Sequence, residues 1–454
     1  MKTNVVSPNA QLIRSRIGKV CVAITGTTVA EMTERAAVAL KETNFLEFRL
    51  DYLEKPAAAL PKLKQFLSEN TAATVIATCR RAANGGKFDG SVAAEVDILT
   101  KAAGAGFHLV DIELESASEL KKAEFQHLRE AGAALIVSYH DFKQTKDLEG
   151  VFAKIQPFEP EFIKIVPTAK TLTDNVTLMR FIERMNDHSN IIGICMGDAG
   201  IISRVLGVRA GNAFTFAAAT PGEETAPGQI AARTLVETYR IDQVDAATKV
   251  YGVAGNPVRN SLSPLMMNTA FRRETVNAVY LALQTDKLED LLTLVQEIPI
   301  QGFSVTMPLK QEILPHLERT DPLTAKIGAC NTVLRAPDGK LYGFNTDVAG
   351  VVAPLEKRLS LRGAKVLVLG AGGAARAAVF GLKDKGAEVT IFNRTPETAQ
   401  KLAKQAGAKV IKKEALAKSA FDVILNATPV GMAGAKAAPL LAENELNAKL
   451  VFDM

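Results

Sequence analysis

Between residues 18 and 218 short runs rich in β-branched and apolar residues alternate with segments of helical periodicity. The strand-like runs are Lys19–Ile24, Phe45–Leu50, Thr74–Cys79, His108–Glu113, Ala134–Tyr139, Phe162–Val166, Ile191–Cys195 and Ala213–Ala217. TVAEMTERAAVALKET and DNVTLMRFIERMND are typical of the helical segments between them. Eight strands at intervals of roughly 22 to 34 residues are the beat of repeated strand–helix units, and eight such units in about 240 residues predict a (β/α)8 barrel. An open doubly wound sheet is the alternative on periodicity alone. The polar positions favour the barrel, because they fall at the C-terminal ends of the strands, where barrels place their chemistry. They are Glu47, Arg49 and Asp51; Arg80 and Arg81; Asp111 and Glu113; His140 and Asp141; Lys164; Ser203 and Arg204; and Gln229. Lys164 is the sharpest of these, since a charge inside the apolar run EFIKIV is costly unless it is paired or used.

IAARTLVETYR reads as the eighth helix, and a new pattern opens with VYGVAGNPVRNSLSP. The strand-like runs VYGVAG, AVYLALQ, GFSVTMP, CNTVLRA and KLYGFNT alternate with helical KLEDLLTLVQEI and KQEILPHLE, which predicts a mixed α/β domain. A third unit, KVLVLGAGGAARAAVFGLKDKGAEVTIFNRT, is strand, glycine turn, helix and strand. The expected domains are therefore 1–245, 246–350 and 351–454. Gly370, Gly372 and Ala375 occupy the three positions of a dinucleotide fingerprint, with Gly373 opening the helix. They serve a tight turn, backbone approach to a pyrophosphate and close helix–strand packing. The following strand ends in Asn393, Arg394 and Thr395 instead of an acidic residue, which suits a 2′-phosphate and predicts NADP over NAD.

Composition narrows the classes. The 454 residues are 47% hydrophobic and 23% charged, ordinary for a globular chain. The net charge of +5 comes from 54 basic and 49 acidic residues spread without a basic tract, which does not favour nucleic acid and fits small anionic substrates at least as well. Cys21, Cys79, Cys195 and Cys330 form no C-x-x-C pair, which gives no support to a metal or thiol-redox site and suits a reducing cytoplasm. MKTNVVSPNAQLIRSRIGKV has no apolar signal core, and no run of 18 apolar residues suggests a membrane span. No obligate protein partner is evident.

The motifs GNPVRNSLSP, GFSVTMPLK, ACNTV, GFNTDVAG, GAGGAARA, FNRT and NATPVGM follow one another across residues 251–454, and in that order they resemble shikimate dehydrogenase. The resemblance implies that Ser261 and Ser263 bind a substrate carboxylate and that Thr306, Asn331 and Asp347 contact ring hydroxyls. It also makes Lys310 and Asp347 the catalytic pair, a proton donor for the alkoxide that hydride reduction creates. Asn260, Met267 and Ser304 depart from common family residues. The family's last strand runs on into a Tyr-containing loop and further helices, so a chain ending at LVFDM implies a shortened cofactor domain.

LEFRLDYLE, TCR followed by NGG, SYHDF, EFIKIV, MGDAGIISRVLG and APGQI resemble type I 3-dehydroquinate dehydratase over residues 18–240. By that resemblance Lys164 forms a Schiff base with the substrate ketone, which acidifies the neighbouring C–H. His140 is the general base and then the acid, and Arg204 holds the carboxylate bidentately. Glu47, Arg49, Arg80 and Gln229 complete the contacts. Asn84 stands where the family commonly has a Glu that orients the histidine. The two halves together imply consecutive reactions on 3-dehydroquinate, 3-dehydroshikimate and shikimate. The rival readings are a quinate-oxidising second half using NAD and a non-catalytic metabolite sensor.

Overall fold

The computed structural model describes residues 13, 15–186, 189–431 and 438–454. Most of the N-terminal segment read above as lacking a signal core, and Met432 of NATPVGM, lie outside them. The chain divides into two compact units, one running to Val253 and including Pro257–Ile300, the other made of Ala254–Asn256 and Gln301–Met454.

The first unit holds eight parallel strands: β1 Val20–Ile24, β2 Phe45–Arg49, β3 Thr74–Thr78, β4 Leu109–Glu113, β5 Ala134–His140, β6 Phe162–Val166, β7 Ile191–Gly193 and β8 Thr215–Ala218. Their order, β7-β6-β5-β4-β3-β2-β1-β8, follows the chain except that β8 joins β1. The Ala213 N–H donates to the Ile191 carbonyl at 2.8 Å and draws the remaining seam together. The barrel expectation holds. Nearly every strand residue is buried, because helices cover the outer face while side chains fill the inside.

The inward stripe changes character as the strands rise. At the bottom Phe45, Ile76, Leu109, Ile136, Phe162 and Phe214 form one apolar cluster. Phe214 meets Phe45 edge-on at 4.8 Å and Phe162 at 5.7 Å. Two residues further up β2, β4 and β6 the same face carries Glu47, Asp111 and Lys164, as the two-residue side-chain period requires. An apolar plug thus forms the floor of a charged cup.

Helix starts obey local capping. The Thr28 and Ser91 hydroxyls accept from the backbone N–H groups of Glu31 and Ala94, opening helices Val29–Ala39 and Val92–Gly104. Of two further expected helices, one forms in a wider-wound form and one fails. Over IAARTLVETYR the helix forms but widens to a π-helix at Thr234–Thr238, where Thr234, Val236 and Thr238 are all β-branched and pack poorly in an α-helix. KQEILPHLE folds as turns ending in a 3₁₀ turn at Leu314–His316, because Pro315 lacks the N–H a longer helix needs.

A six-stranded sheet follows, of β9 Lys249–Gly255, β10 Ala278–Gln284, β11 Ile300–Val305, β12 Arg319–Thr320, β13 Thr332–Arg335 and β14 Leu341–Phe344, in the order β10-β9-β11-β13-β14-β12. The last sheet, β17-β16-β15-β18-β19, comprises β15 Lys365–Leu369, β16 Glu388–Phe392, β17 Lys409–Val410, β18 Phe421–Asn426 and β19 Ala448–Asp453. All its pairs are parallel, as the dinucleotide reading requires. Among the described residues no helix is long and apolar enough to cross a membrane.

Candidate active sites

In the barrel cup the Lys164 Nζ lies 2.8 Å from Asp111 Oδ2, 3.7 Å from Glu47 Oε1 and 4.0 Å from the centre of the Phe216 ring. Burying an amine here is tolerable because two carboxylates and an aromatic face replace water. Burial alone would raise the Asp111 carboxyl, but the charges of Lys164 and Arg80 outweigh it and hold it below its usual range. Glu47 is fixed by the Thr78 hydroxyl at 2.7 Å.

Register pairs Ser138 with Lys164 and His140 with Val166, so His140 stands one pleat above the lysine on the neighbouring strand. Burial, then the Arg80 and Lys164 charges, push the His140 imidazole well below its usual range. The ring is therefore neutral near pH 7, as a general base must be. Its Nδ1 is 2.9 Å from Glu113 Oε1 and 3.1 Å from Oε2. Whenever Glu113 is ionised, the proton sits on Nδ1 and Nε2 keeps the basic lone pair. Ser138 Oγ lies 2.5 Å from Asp111 and 3.0 Å from Glu113. Arg80 Nε sits 2.7 Å from Glu113 Oε1, close enough to pair by charge although its N–H is not aimed along a hydrogen bond. Burial, partly offset by Arg80, pushes the Glu113 carboxyl up to about 7.

Glu113 and Asp111 were visible in the sequence only as polar strand-end residues. The carboxylate in contact with His140 is Glu113 on β4, whereas the family resemblance places one at position 84, and the buried Asn84 Nδ2 has no partner among the described residues.

Arg204 is buried, and among the described residues no acid lies beside it. Among the described residues its guanidinium reaches only the carbonyls of Phe216, at 3.4 Å, and Pro227, at 3.3 Å, and its Nε has no partner. Burial pulls it down to about 10. A buried cation without a counter-ion is a costly arrangement that an incoming anion relieves. Arg49, by contrast, is already satisfied by both oxygens of Asp51, at 2.9 and 2.8 Å. Gln229 accepts from Thr225 through its Oε1, at 2.7 Å from the backbone N–H.

In the second unit Lys310 Nζ donates to Asp347 Oδ2 at 2.5 Å. The Asn331 amide donates to Asp347 Oδ1 at 2.7 Å and to the Thr346 hydroxyl at 2.9 Å, so the carboxylate is held on both oxygens. Asp347 opens the helix Asp347–Glu356, where the N-terminal dipole also favours its negative form. Thr306 lies just beyond β11, its N–H bonded to Ala254 at 2.8 Å. Ser261 and Ser263 belong to the first unit, at the start of helix Ser263–Arg273, where the Ser261 hydroxyl accepts from the Ser263 N–H.

The glycine turn runs from β15 to helix Gly373–Asp384. Gly370 has φ +108°, a conformation reserved for glycine, and a Cβ there would meet the Ala427 carbonyl at 2.9 Å. Around Gly372 the space a Cβ would occupy is open, which leaves the helix amides accessible to a phosphate. Ala375 is fully buried, and Arg394 at the end of β16 is exposed. Asn393 turns back to the Thr395 carbonyl at 2.9 Å.

These sites define a class: an amine-bearing (β/α)8 barrel joined to an α/β scaffold of the dinucleotide type. Residues 20–246 match the family model for Type I 3-dehydroquinase, 253–333 that for the Shikimate dehydrogenase substrate binding domain, and 354–449 that for Shikimate / quinate 5-dehydrogenase. The chain belongs to the type I 3-dehydroquinase family through its barrel and to the shikimate dehydrogenase family through the remainder. It is 34% identical over 81% of its length to the "Bifunctional 3-dehydroquinate dehydratase/shikimate dehydrogenase, chloroplastic" of Arabidopsis thaliana, and spans 63% of that protein. With the "Shikimate biosynthesis protein AroDE" of Chlamydia pneumoniae it shares 28% identity over 90% of this chain and 83% of the relative. With the "Shikimate dehydrogenase (NADP(+))" of Ignicoccus hospitalis it shares 43% over 41% and 71%.

Proposed function

We propose that this protein dehydrates 3-dehydroquinate in its barrel and reduces the resulting 3-dehydroshikimate to shikimate with NADPH in its second half, on three modules at 1–245, 246–350 and 351–454. The observation that carries the first reaction is the buried Lys164 below a neutral His140, with Arg204 lacking a counter-ion in the same unit.

Lys164 condenses with the ketone and expels water. His140 removes a proton from the carbon beside the imine, and Glu113 steadies the imidazolium that forms. The enamine then releases its β-hydroxyl, which leaves as water with the proton His140 took. Hydrolysis frees the product and the amine. Arg204 binds the substrate carboxylate, while Glu47, Arg49, Arg80 and Gln229 line or brace the cup.

In the second half the open amides around Gly372, with Gly370, Gly373 and Ala375, fit a pyrophosphate, and Asn393, Arg394 and Thr395 suit a 2′-phosphate. The bound nucleotide supplies the hydride. Lys310, held on Asp347, gives the proton to the developing alkoxide. Asn331, Thr306 and Asp347 contact ring hydroxyls, and Ser261 and Ser263 the carboxylate. Four free, buried thiols suit a cytoplasmic setting.

Borohydride reduction in the presence of 3-dehydroquinate, followed by peptide mapping, tests the barrel chemistry. A mass adduct on Lys164 is expected; trapping on another lysine, or none, overturns it.

A further inference from the structure

The helix Leu172–Met185 follows β6, the strand of Lys164, and its local sequence caps it only in part. Thr171 and Asp174 form a reciprocal capping box, the Thr171 hydroxyl accepting from the Asp174 N–H at 3.3 Å and Asp174 from the Thr171 N–H at 2.9 Å, and this box leaves the N–H groups of Leu172 and Thr173 unserved. Those two go to Asp290, 118 residues further along the chain in the same compact unit. Asp290 accepts from the Leu172 N–H at 2.8 Å, from the Thr173 N–H at 3.0 Å and from the Thr173 hydroxyl at 2.7 Å. Asp290 lies on helix Leu288–Glu297, within the shikimate dehydrogenase portion, so a carboxylate from one enzyme caps a helix of the other.

The first turn of that helix in turn holds the loop after β7. Asn175, fully buried, donates to the Ala199 carbonyl at 2.7 Å and accepts from the Ser203 N–H at 3.1 Å, one residue before Arg204. The same loop is held from its other end. Arg259 donates to Asp198 Oδ1 at 2.8 Å, and Arg259 belongs to the NPVRNSLSP segment that presents Ser261 and Ser263.

We infer that Asp290 and Arg259 of the dehydrogenase portion are positioning residues for the dehydratase, setting the loop that carries Arg204 through the Leu172–Met185 helix cap and the Asp198 ion pair. This rests on the reading of Arg204 as the carboxylate anchor. The dehydratase then reads the state of the neighbouring carboxylate loop: whatever orders residues 259–263 also orders 198–204. Because Arg204 acts in binding, loss of these contacts raises KM for 3-dehydroquinate and leaves kcat nearly unchanged.

The test uses the full chain. Asp290→Ala is expected to raise the dehydratase KM about fivefold, the size of one lost helix cap, and to accelerate amide exchange at 197–204. Asp290→Asn, which retains one acceptor oxygen, recovers part of the loss. Arg259→Asp raises KM as well, and the swap Asp198→Arg with Arg259→Asp restores it. Exchange at 197–204 that matches wild type in Asp290→Ala overturns the inference, as does an unchanged KM in a chain that turns over. A fall in kcat that follows the folded fraction marks a merely structural role and also overturns it. If the wild-type chain shows neither turnover nor a Lys164 adduct, the functional reading fails instead, and exchange at 197–204 alone decides the coupling.

Discussion

His140 shows most directly how a residue's task depends on its surroundings. The same imidazole in water would be part-protonated near neutrality, whereas here burial and two cationic neighbours keep it neutral. A histidine held below its usual value takes up its proton in the unfolded chain first. It therefore costs stability as pH falls below 6.5, and its catalytic form persists to lower pH than an exposed histidine's. The kcat/KM profile for dehydration should accordingly bend first near pH 7, where Glu113 takes up a proton, and His140 should add its own bend only below 6.5; a profile that bends near 6.5 and stays unchanged in Glu113→Gln contradicts the assignment. His140, Lys164 and Arg204 were legible from motif and residue type alone. Glu113 was not assigned, because nothing in DIELE says which acid faces the histidine. That depends on the pairing of β4 with β5, and so on register.

Elements were easiest to read where a single period ruled them. The eight strands lie within about two residues of their expected bounds, since continuous apolar runs bounded by turns admit few alternatives. The departures come where local chemistry opposed the pattern: the helix widens at the β-branched Thr234–Thr238 and is lost at Pro315. The glycine turn holds a detail that no fingerprint states. A Cβ at Gly373 would stand 2.9 Å from both Cβ and Cδ of Lys310, so this helix start abuts the proposed proton donor. Gly373→Ala should improve local helix propensity while displacing Lys310. Its expected signature is kcat for 3-dehydroshikimate reduction lowered between about tenfold and a hundredfold, with dehydration unaffected. Steady-state assays of both reactions on one preparation would show it, and an unchanged reduction rate would mean Lys310 is not placed as the geometry implies.

Across the whole molecule the two proposed chemistries use separate amines. Lys164→Arg keeps a charge opposite Asp111 but cannot form the imine, so it should abolish dehydration and spare the NADP-linked oxidation of shikimate. Lys310→Ala should do the reverse. Assaying both variants for both reactions separates two independent sites from a shared one; loss of both activities in either variant would falsify the division. The order of modules, the barrel, the glycine turn and the chemical types at each site follow from sequence by itself, because periodicity, turn residues and buried charges are local constraints. Only the tertiary structure decided that Glu113 steadies His140, that Arg204 is left without an acid, and that Asp290 caps a helix of the barrel. Each of these depends on which side chains meet across strands or across 118 residues of chain, and packing chooses such partners after the local pattern has been satisfied.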